Sequence, residues 1–216
     1  MAVNGKSFLV DTTRCIGCRS CQVACKQWNE LPAEQTVPTN AGTYENPPAL
    51  TANTWLRIRF RETERTDGSV LWTFVRDGCR HCVDAPCKQA AQDPEAIIID
   101  DVTGAVIHTE AALYEDVDRL RMACPYGNPR EDADGYKAKC VMCRDRVHNG
   151  ESPACVKACP TGGLTFGDRD EILDLADARV DVLREQYPEA RLLDRRDVRV
   201  LILLAEPASA YSLPSG

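Results

Sequence analysis

Near the start of the chain, the stretch Cys15-Ile16-Gly17-Cys18-Arg19-Ser20-Cys21-Gln22-Val23-Ala24-Cys25 carries four thiols separated by two, two and three residues. Thiolates are soft ligands that select zinc or iron–sulfur cores. At this spacing three of them wrap one iron–sulfur cube, and the fourth, three residues further on, turns toward a second. Cys25 therefore needs partners from elsewhere in the chain.

The chain has twelve cysteines in 216 residues. After the first four come Cys79, Cys82 and Cys87, then Cys124-Pro125, then Cys140, Cys143, Cys155 and Cys159-Pro160. Thiols two residues apart are badly placed to bond each other and well placed to share a metal, which sets aside a disulfide framework. The two-cluster rule joins three cysteines of one group to the terminal cysteine of the other. Applied from the outside inward, it gives Cys15, Cys18, Cys21 and Cys159 to a first cube and Cys25, Cys140, Cys143 and Cys155 to a second. Cys79, Cys82 and Cys87 then take Cys124 for a third. The expected cofactors are three 4Fe-4S clusters, and no thiol is left over. Zinc is the rival for Cys-x2-Cys pairs, but a zinc protein has no need of three-plus-one interleaving or of proline after Cys124 and Cys159.

A complete inner pair would have a fourth cysteine where Ala91 stands and three more at Tyr114, Val117 and Leu120. All four ligands of one cluster are absent together. Tyr114, Val117 and Leu120 follow a three-residue spacing on an expected helix, so apolar side chains on one face should fill the volume a cube would take.

The elements around these thiols can be read from period and turn chemistry. Residues 6–11 (KSFLVD) form an expected strand feeding the first cysteine loop. Residues 26–53, with Trp28 and four prolines, show neither period and are read as a long loop, either disordered or used for docking a partner. From Thr54 to Val75 strict alternation, broken by Asp67-Gly68, predicts a hairpin with Leu56, Ile58 and Phe60 on one face and Arg57, Arg59 and Arg61 on a solvated one. Residues 97–99 and 106–107 form a second hairpin, 110–122 a helix delivering Cys124, and 164–166 a closing strand. Ile172, Leu173, Leu175, Ala176 and Val180 recur at helical spacing, and 198–204 is a last apolar strand. These last elements are read as packing.

Lys26, Arg80, Lys88 and Lys157 adjoin cysteines and are read as solvated charges whose field would raise reduction potentials. His81, His108 and His148 are too scattered for a haem or zinc site, and only His81, between two thiols, merits a test. The formal charge of −7 argues against nucleic acid as a partner. With three oxidised clusters bound it would fall to about −13. Residues 1–10 lack the pattern of a signal peptide, and the longest apolar run, 200–205, is far short of the roughly 20 residues of a membrane span.

The four cysteine groups in this order, with Met142, Asp145-Arg146, Gly150, Pro153-Ala154-Cys155 and Cys159-Pro160-Thr161-Gly162-Gly163, resemble the ferredoxin-like electron-transfer subunits of molybdenum and tungsten bis-pterin oxidoreductases over nearly the whole chain. The stretch Cys25-Lys26-Gln27-Trp28-Asn29-Glu30-Leu31-Pro32-Ala33-Glu34, followed by Asn46-Pro47-Pro48, is similar to the small subunit of the soluble formate dehydrogenases. In membrane-bound relatives the fourth cluster precedes a membrane haem and a C-terminal helix spans the membrane. Neither feature is expected here.

The resemblance implies an α+β fold of two ferredoxin-like domains, one inserted in the other. An outer domain, 1–75 with 135–216, would hold the first two clusters, and an inner domain, 76–134, the third. It implies a non-catalytic subunit that carries electrons from a large pterin subunit oxidising formate. The cluster of Cys15, Cys18, Cys21 and Cys159 would lie nearest that partner, and that of Cys79, Cys82, Cys87 and Cys124 nearest a soluble acceptor such as a multihaem cytochrome c. Export to the periplasm with the catalytic subunit is implied, with the cytoplasm as the alternative. The rival functions are the same architecture serving another molybdopterin oxidoreductase, and a free-standing polyferredoxin.

Overall fold

The computed structural model describes residues 5–36, 44–211 and 213. Its elements begin with β1 (Lys6–Asp11), α1 (Ser20–Trp28), β2 (Leu56–Glu64), β3 (Val70–Gly78) and α2 (Pro86–Ala90). They continue with β4 (Ile97–Ile99), β5 (Val106–His108), a 3-10 turn (Glu110–Tyr114), α3 (Val117–Ala123), β6 (Arg130–Glu131) and β7 (Lys137–Ala138). Last come α4 (Arg144–His148), α5 (Ala154–Lys157), β8 (Leu164–Asp168), α6 (Arg169–Arg184), β9 (Arg191–Leu193), β10 (Val200–Leu204) and a 3-10 turn (Ala208–Tyr211).

One mixed sheet, in the order β8-β1-β10-β9, brings the two ends of the chain together. β10 runs parallel to β1, with Phe8 opposite Val200 and Asp11 opposite Leu203, and antiparallel to β9. β8 pairs antiparallel with the other edge of β1. All five residues of β10 are buried, as expected of an apolar run covered on both faces. Leu201 and Leu203 meet Ile172, Ala176, Val180 and Leu183 of α6. Val200, Ile202 and Leu204 point the other way, into a core that contains Cys21, Cys25 and Cys155. The sheet thus forms a dry floor under two of the thiol groups, held from behind by α6.

The β2–β3 hairpin forms as its alternation predicts, from Leu56 opposite Gly78 to Glu64 opposite Val70. Leu56 and Ile58 face the same thiol-bearing core. The arginine face departs from the expectation. Arg57 is 7 % exposed, and Arg57 and Arg59 both close on Asp77, at 2.9 and 2.8 Å. The cover comes from the segment expected to be irregular, because Arg57 also donates to Pro48 O and Arg130 to Leu50 O at 2.8 Å. Only Arg61 of the three is exposed.

That segment opens inside α1 and is tied down where it is described. Lys26 donates to Asn53 O at 2.7 Å, and Glu45 accepts the Phe60 N–H at 3.0 Å. The rest of the disorder-or-docking expectation, residues 37–43, lies outside the described residues.

The single helix expected over 110–122 is two pieces. Asp116 starts α3 afresh, its carboxylate accepting the N–H groups of Asp118 at 2.9 Å and Arg119 at 3.4 Å, the usual work of an N-cap. Glu115 turns the other way and accepts from Gln92 N, at 2.8 and 3.0 Å, and Asp93 N, at 2.7 Å. The face shared by Tyr114, Val117 and Leu120 therefore does not exist. Leu120 is wholly buried, with Ala85, Cys87 and Ile97, whereas Tyr114 is 91 % exposed.

Among the described residues, no helix is long and apolar enough to cross a membrane.

Candidate metal centres

All twelve cysteines are free of disulfides. The first loop after β1 turns on Gly17, at φ +66°, where an added Cβ would come within 2.9 Å of the rings of Phe60 and Phe74. The same turn recurs two residues after Cys79 and Cys140, at His81 (φ 48°) and Met142 (φ 60°). Neither is glycine, and a non-glycine residue in the left-handed region costs about 1–3 kcal/mol. The turn aims a backbone N–H at the preceding sulfur. His81 N donates to Cys79 Sγ and Met142 N to Cys140 Sγ, both at 3.4 Å.

Burial lifts most of these thiols first, and neighbouring thiols lift them further, both within the expected sets and across them, since Cys21 also raises Cys155 and Cys140 also raises Cys79. Burial lifts Cys15, against a hydrogen bond from Gly17, and Cys159 and Cys18 lift it further. Cys21 is pushed up to about 12, by burial first and then by Cys15, Cys159 and Cys18, with Arg76 opposing. In the second set burial lifts Cys25, and Cys140, Cys155 and Cys143 add to it. Burial pushes Cys143 and Cys155 up to about 12 as well. In the third, burial takes Cys79 to about 11 and Cys82 to about 12, the latter with help from Cys79, Cys124 and Cys87. Cys159 differs. Burial raises it, but hydrogen bonds from the Thr161 hydroxyl and the N–H groups of Leu164, Thr161 and Gly163 outweigh that and hold it below the ordinary thiol value.

Buried thiols that repel one another as thiolates need a positive core to become ligands, so the donor chemistry fits an iron–sulfur group. Cys15, Cys18, Cys21 and Cys159 line one recess between β1, the first cysteine loop and β2. Among the described residues no three His, Cys, Asp or Glu side chains converge closely enough to hold a single ion.

A family described as a 4Fe-4S dicluster domain matches residues 70–169. The chain is 46 % identical to the formate dehydrogenase subunit beta of Megalodesulfovibrio gigas, over 95 % of this chain and 96 % of that one. It is 45 % identical to formate dehydrogenase 2 subunit beta (cytochrome c-553) of Nitratidesulfovibrio vulgaris, with the same shares covered. To the formate dehydrogenase-O iron-sulfur subunit of Escherichia coli it is 38 % identical over 86 % of this chain and 61 % of that one. The chain belongs to the family of formate dehydrogenase beta subunits.

As in its family's description, this beta-subunit chain is a 4Fe-4S protein, and its cations show how the sites are built. Of the four read as solvated, only Lys157 is exposed. Lys26 pairs with Glu34 at 3.5 Å. Lys88 donates to Ile97 O at 2.6 Å. Arg80 is buried, stacked 5.1 Å above the Tyr126 ring, because the backbone around it pairs with the C-terminal region, Val200 N donating to Arg80 O at 3.0 Å. Among the buried cations that escape sequence reasoning, Arg76 and Lys139 lie beside thiol groups. Lys139 donates to Cys140 O at 3.0 Å and lowers Cys79 and Cys87 against their burial. The available signal was position: each precedes the first cysteine of a group, by three residues and by one.

The histidines hold structure. His81 accepts the Val106 N–H on Nδ1 at 3.1 Å, and burial keeps its ring far below the usual titration range, hence neutral. His108 lies 3.3 Å from Lys137 O and is lowered to about 3, chiefly by burial. His148 pairs with Asp100 at 3.1 Å.

Proposed function

We propose that this chain is the electron-transfer subunit of a formate dehydrogenase, working beside a separate catalytic pterin subunit that oxidises formate. The observation that carries this reading is the 46 % and 45 % identity to formate dehydrogenase beta subunits over 95 % of the chain, in a sequence whose twelve cysteines keep the three-plus-one spacing. On this reading Cys15, Cys18, Cys21 and Cys159 hold one cube, Cys25, Cys140, Cys143 and Cys155 a second, and Cys79, Cys82, Cys87 and Cys124 a third. Bound there, a 4Fe-4S group supplies one-electron carriage at a potential set by its surroundings.

The chain's own part is to set those surroundings. The buried faces of β1, β2 and β10 keep water from Cys21, Cys25 and Cys155. Backbone N–H groups at His81 and Met142 donate to sulfur, which stabilises added negative charge. The inner set sits against Ala85, Ile97, Val106 and Leu120. We assign residues 1–75 with 135–216 to an outer ferredoxin-like domain and 76–134 to an inner one.

The exit we propose, following the family resemblance, is the inner set; its Cys82 and Cys124 are partly buried, as are Cys15 and Cys159, while Cys18 is exposed. A soluble haem protein with a basic face would meet the negative charge of this subunit there, at a rate that falls with salt. We place the complex in the periplasm, carried across by the catalytic subunit's export signal. Anaerobic native purification tests the reading: a large pterin-containing chain should co-purify, with about twelve iron atoms per beta chain. This chain recovered alone, or holding zinc without iron, would refute it.

A further inference from the structure

Arg76 is the largest fully buried side chain among the described residues, 1 % exposed, and no carboxylate answers its charge. Adjacent strand residues point to opposite faces, and Asp77 is turned away to Arg57 and Arg59. The guanidinium instead points at sulfur. Nη2 lies 3.8 Å from Cys140 Sγ, Nη1 3.5 Å from Cys79 O, and Cζ 5.8 Å from the centre of the Phe8 ring. The same side chain lines the recess of Cys15, Cys18, Cys21 and Cys159. Its Nε has no partner among the described residues. A buried charge is costly unless it is matched, and among the described residues its hydrogen-bond acceptors are the Cys140 sulfur and the Cys79 carbonyl, with the first thiol set across the recess.

We propose that Arg76 is a fixed positive charge shared between the two outer cluster sites, a positioning residue that holds both reduction potentials up together. The inference rests on the ligand sets given above. Reduction adds one negative charge to a site, so a buried cation beside it favours the reduced form, and in a low-dielectric core that preference is large. A guanidinium keeps its proton in proteins, and this one touches a sulfur of the second set and lines the recess of the first. Of the inner set Arg76 meets a backbone carbonyl, that of Cys79, and not a sulfur, whereas Lys139 lowers the Cys79 and Cys87 thiols, so the two outer sites should respond to Arg76 together and the inner one much less.

The test is a redox titration followed by electron paramagnetic resonance on the natively purified protein, as wild type, Arg76→Met and Arg76→Lys. Arg76→Met should lower both outer potentials by about tenfold in the reduction equilibrium, which is about 59 mV for one electron, and move the inner one by less than half as much. Arg76→Lys, which keeps the charge, should restore most of the shift. Outer potentials that do not move in Arg76→Met, or that fall as far in Arg76→Lys, would overturn the proposal. Should Arg76→Met fail to take up iron, iron content decides: Arg76→Lys loaded as wild type supports a need for charge, and Arg76→Lys equally empty refutes it. Wild-type protein without iron would overturn the ligand sets and this inference with them. Loaded clusters indifferent to Arg76 would overturn this inference alone.

Discussion

Asp100→Asn should loosen the join between the β4–β5 turn and α4. The Asp100 side chain is 1 % exposed. It accepts from Thr103 N at 2.8 Å and Thr103 Oγ1 at 2.7 Å, and it pairs with Arg144 at 2.6 Å and His148 at 3.1 Å. Burial alone would raise its carboxyl, but the Thr103, His148 and Arg144 contacts outweigh that and bring it from 3.8 to about 2. At about 1.4 kcal/mol per tenfold change in acidity, the charged form contributes about 2 kcal/mol. Because the folded value is depressed, that contribution is fully present above pH 3.8 and is lost only as pH falls toward 2. At pH 7 Asp100→Asn should therefore forfeit about 2 kcal/mol, equivalent to roughly 30-fold faster amide exchange if the segment opens locally. Hydrogen exchange read by mass spectrometry should find the increase in peptides covering 97–108 and 144–150. It should leave the distant β2–β3 hairpin unchanged. Unaltered exchange at 97–108, or an equal increase in the hairpin, would refute the reasoning.

Cys159→Ala should remove the cube built on Cys15, Cys18 and Cys21, taking iron from about twelve to about eight atoms per chain, and spectroscopy showing loss of the Cys140 set instead would refute the interleaving. Cys82→Ala should leave formate able to reduce the two outer clusters while abolishing reduction of the soluble acceptor. Acceptor reduction at the wild-type rate would move the exit elsewhere. At the end of α1, Leu31 N donates to Lys26 O and Glu30 N to Gln27 O, a Schellman turn with Glu30 at φ 52° where glycine is usual. Glu30→Gly should stabilise by about 1 kcal/mol and raise the thermal midpoint by about 2–4 °C; an unchanged or lower midpoint would count against strain at that position.

The thiol spacing, the hairpin and the family were all legible in the sequence, for physical reasons that act locally. Two residues between thiols bind them to one core, alternation from Leu56 to Phe60 with Asp67-Gly68 makes a half-buried hairpin, and the 172–180 period makes the helix behind the sheet. The break at Asp116 was also legible: an aspartate ahead of Val117 is a cap signal, overridden by the three-residue spacing that joined Tyr114 to Leu120. Other features were decided at long range. Alternation says that one face of β2 is apolar, but not that Asp77 and the Pro48–Leu50 backbone cover the other, so Arg57 reads as solvated and is buried. An apolar run at 200–204 reads as a strand, but its place between β1 and β9 depends on chain ends nearly 200 residues apart. Arg76 shows the limit most clearly. Three residues before Cys79 it looks like any strand arginine, and only the closing of two cysteine loops over one sheet turns its charge toward sulfurs from both ends of the chain.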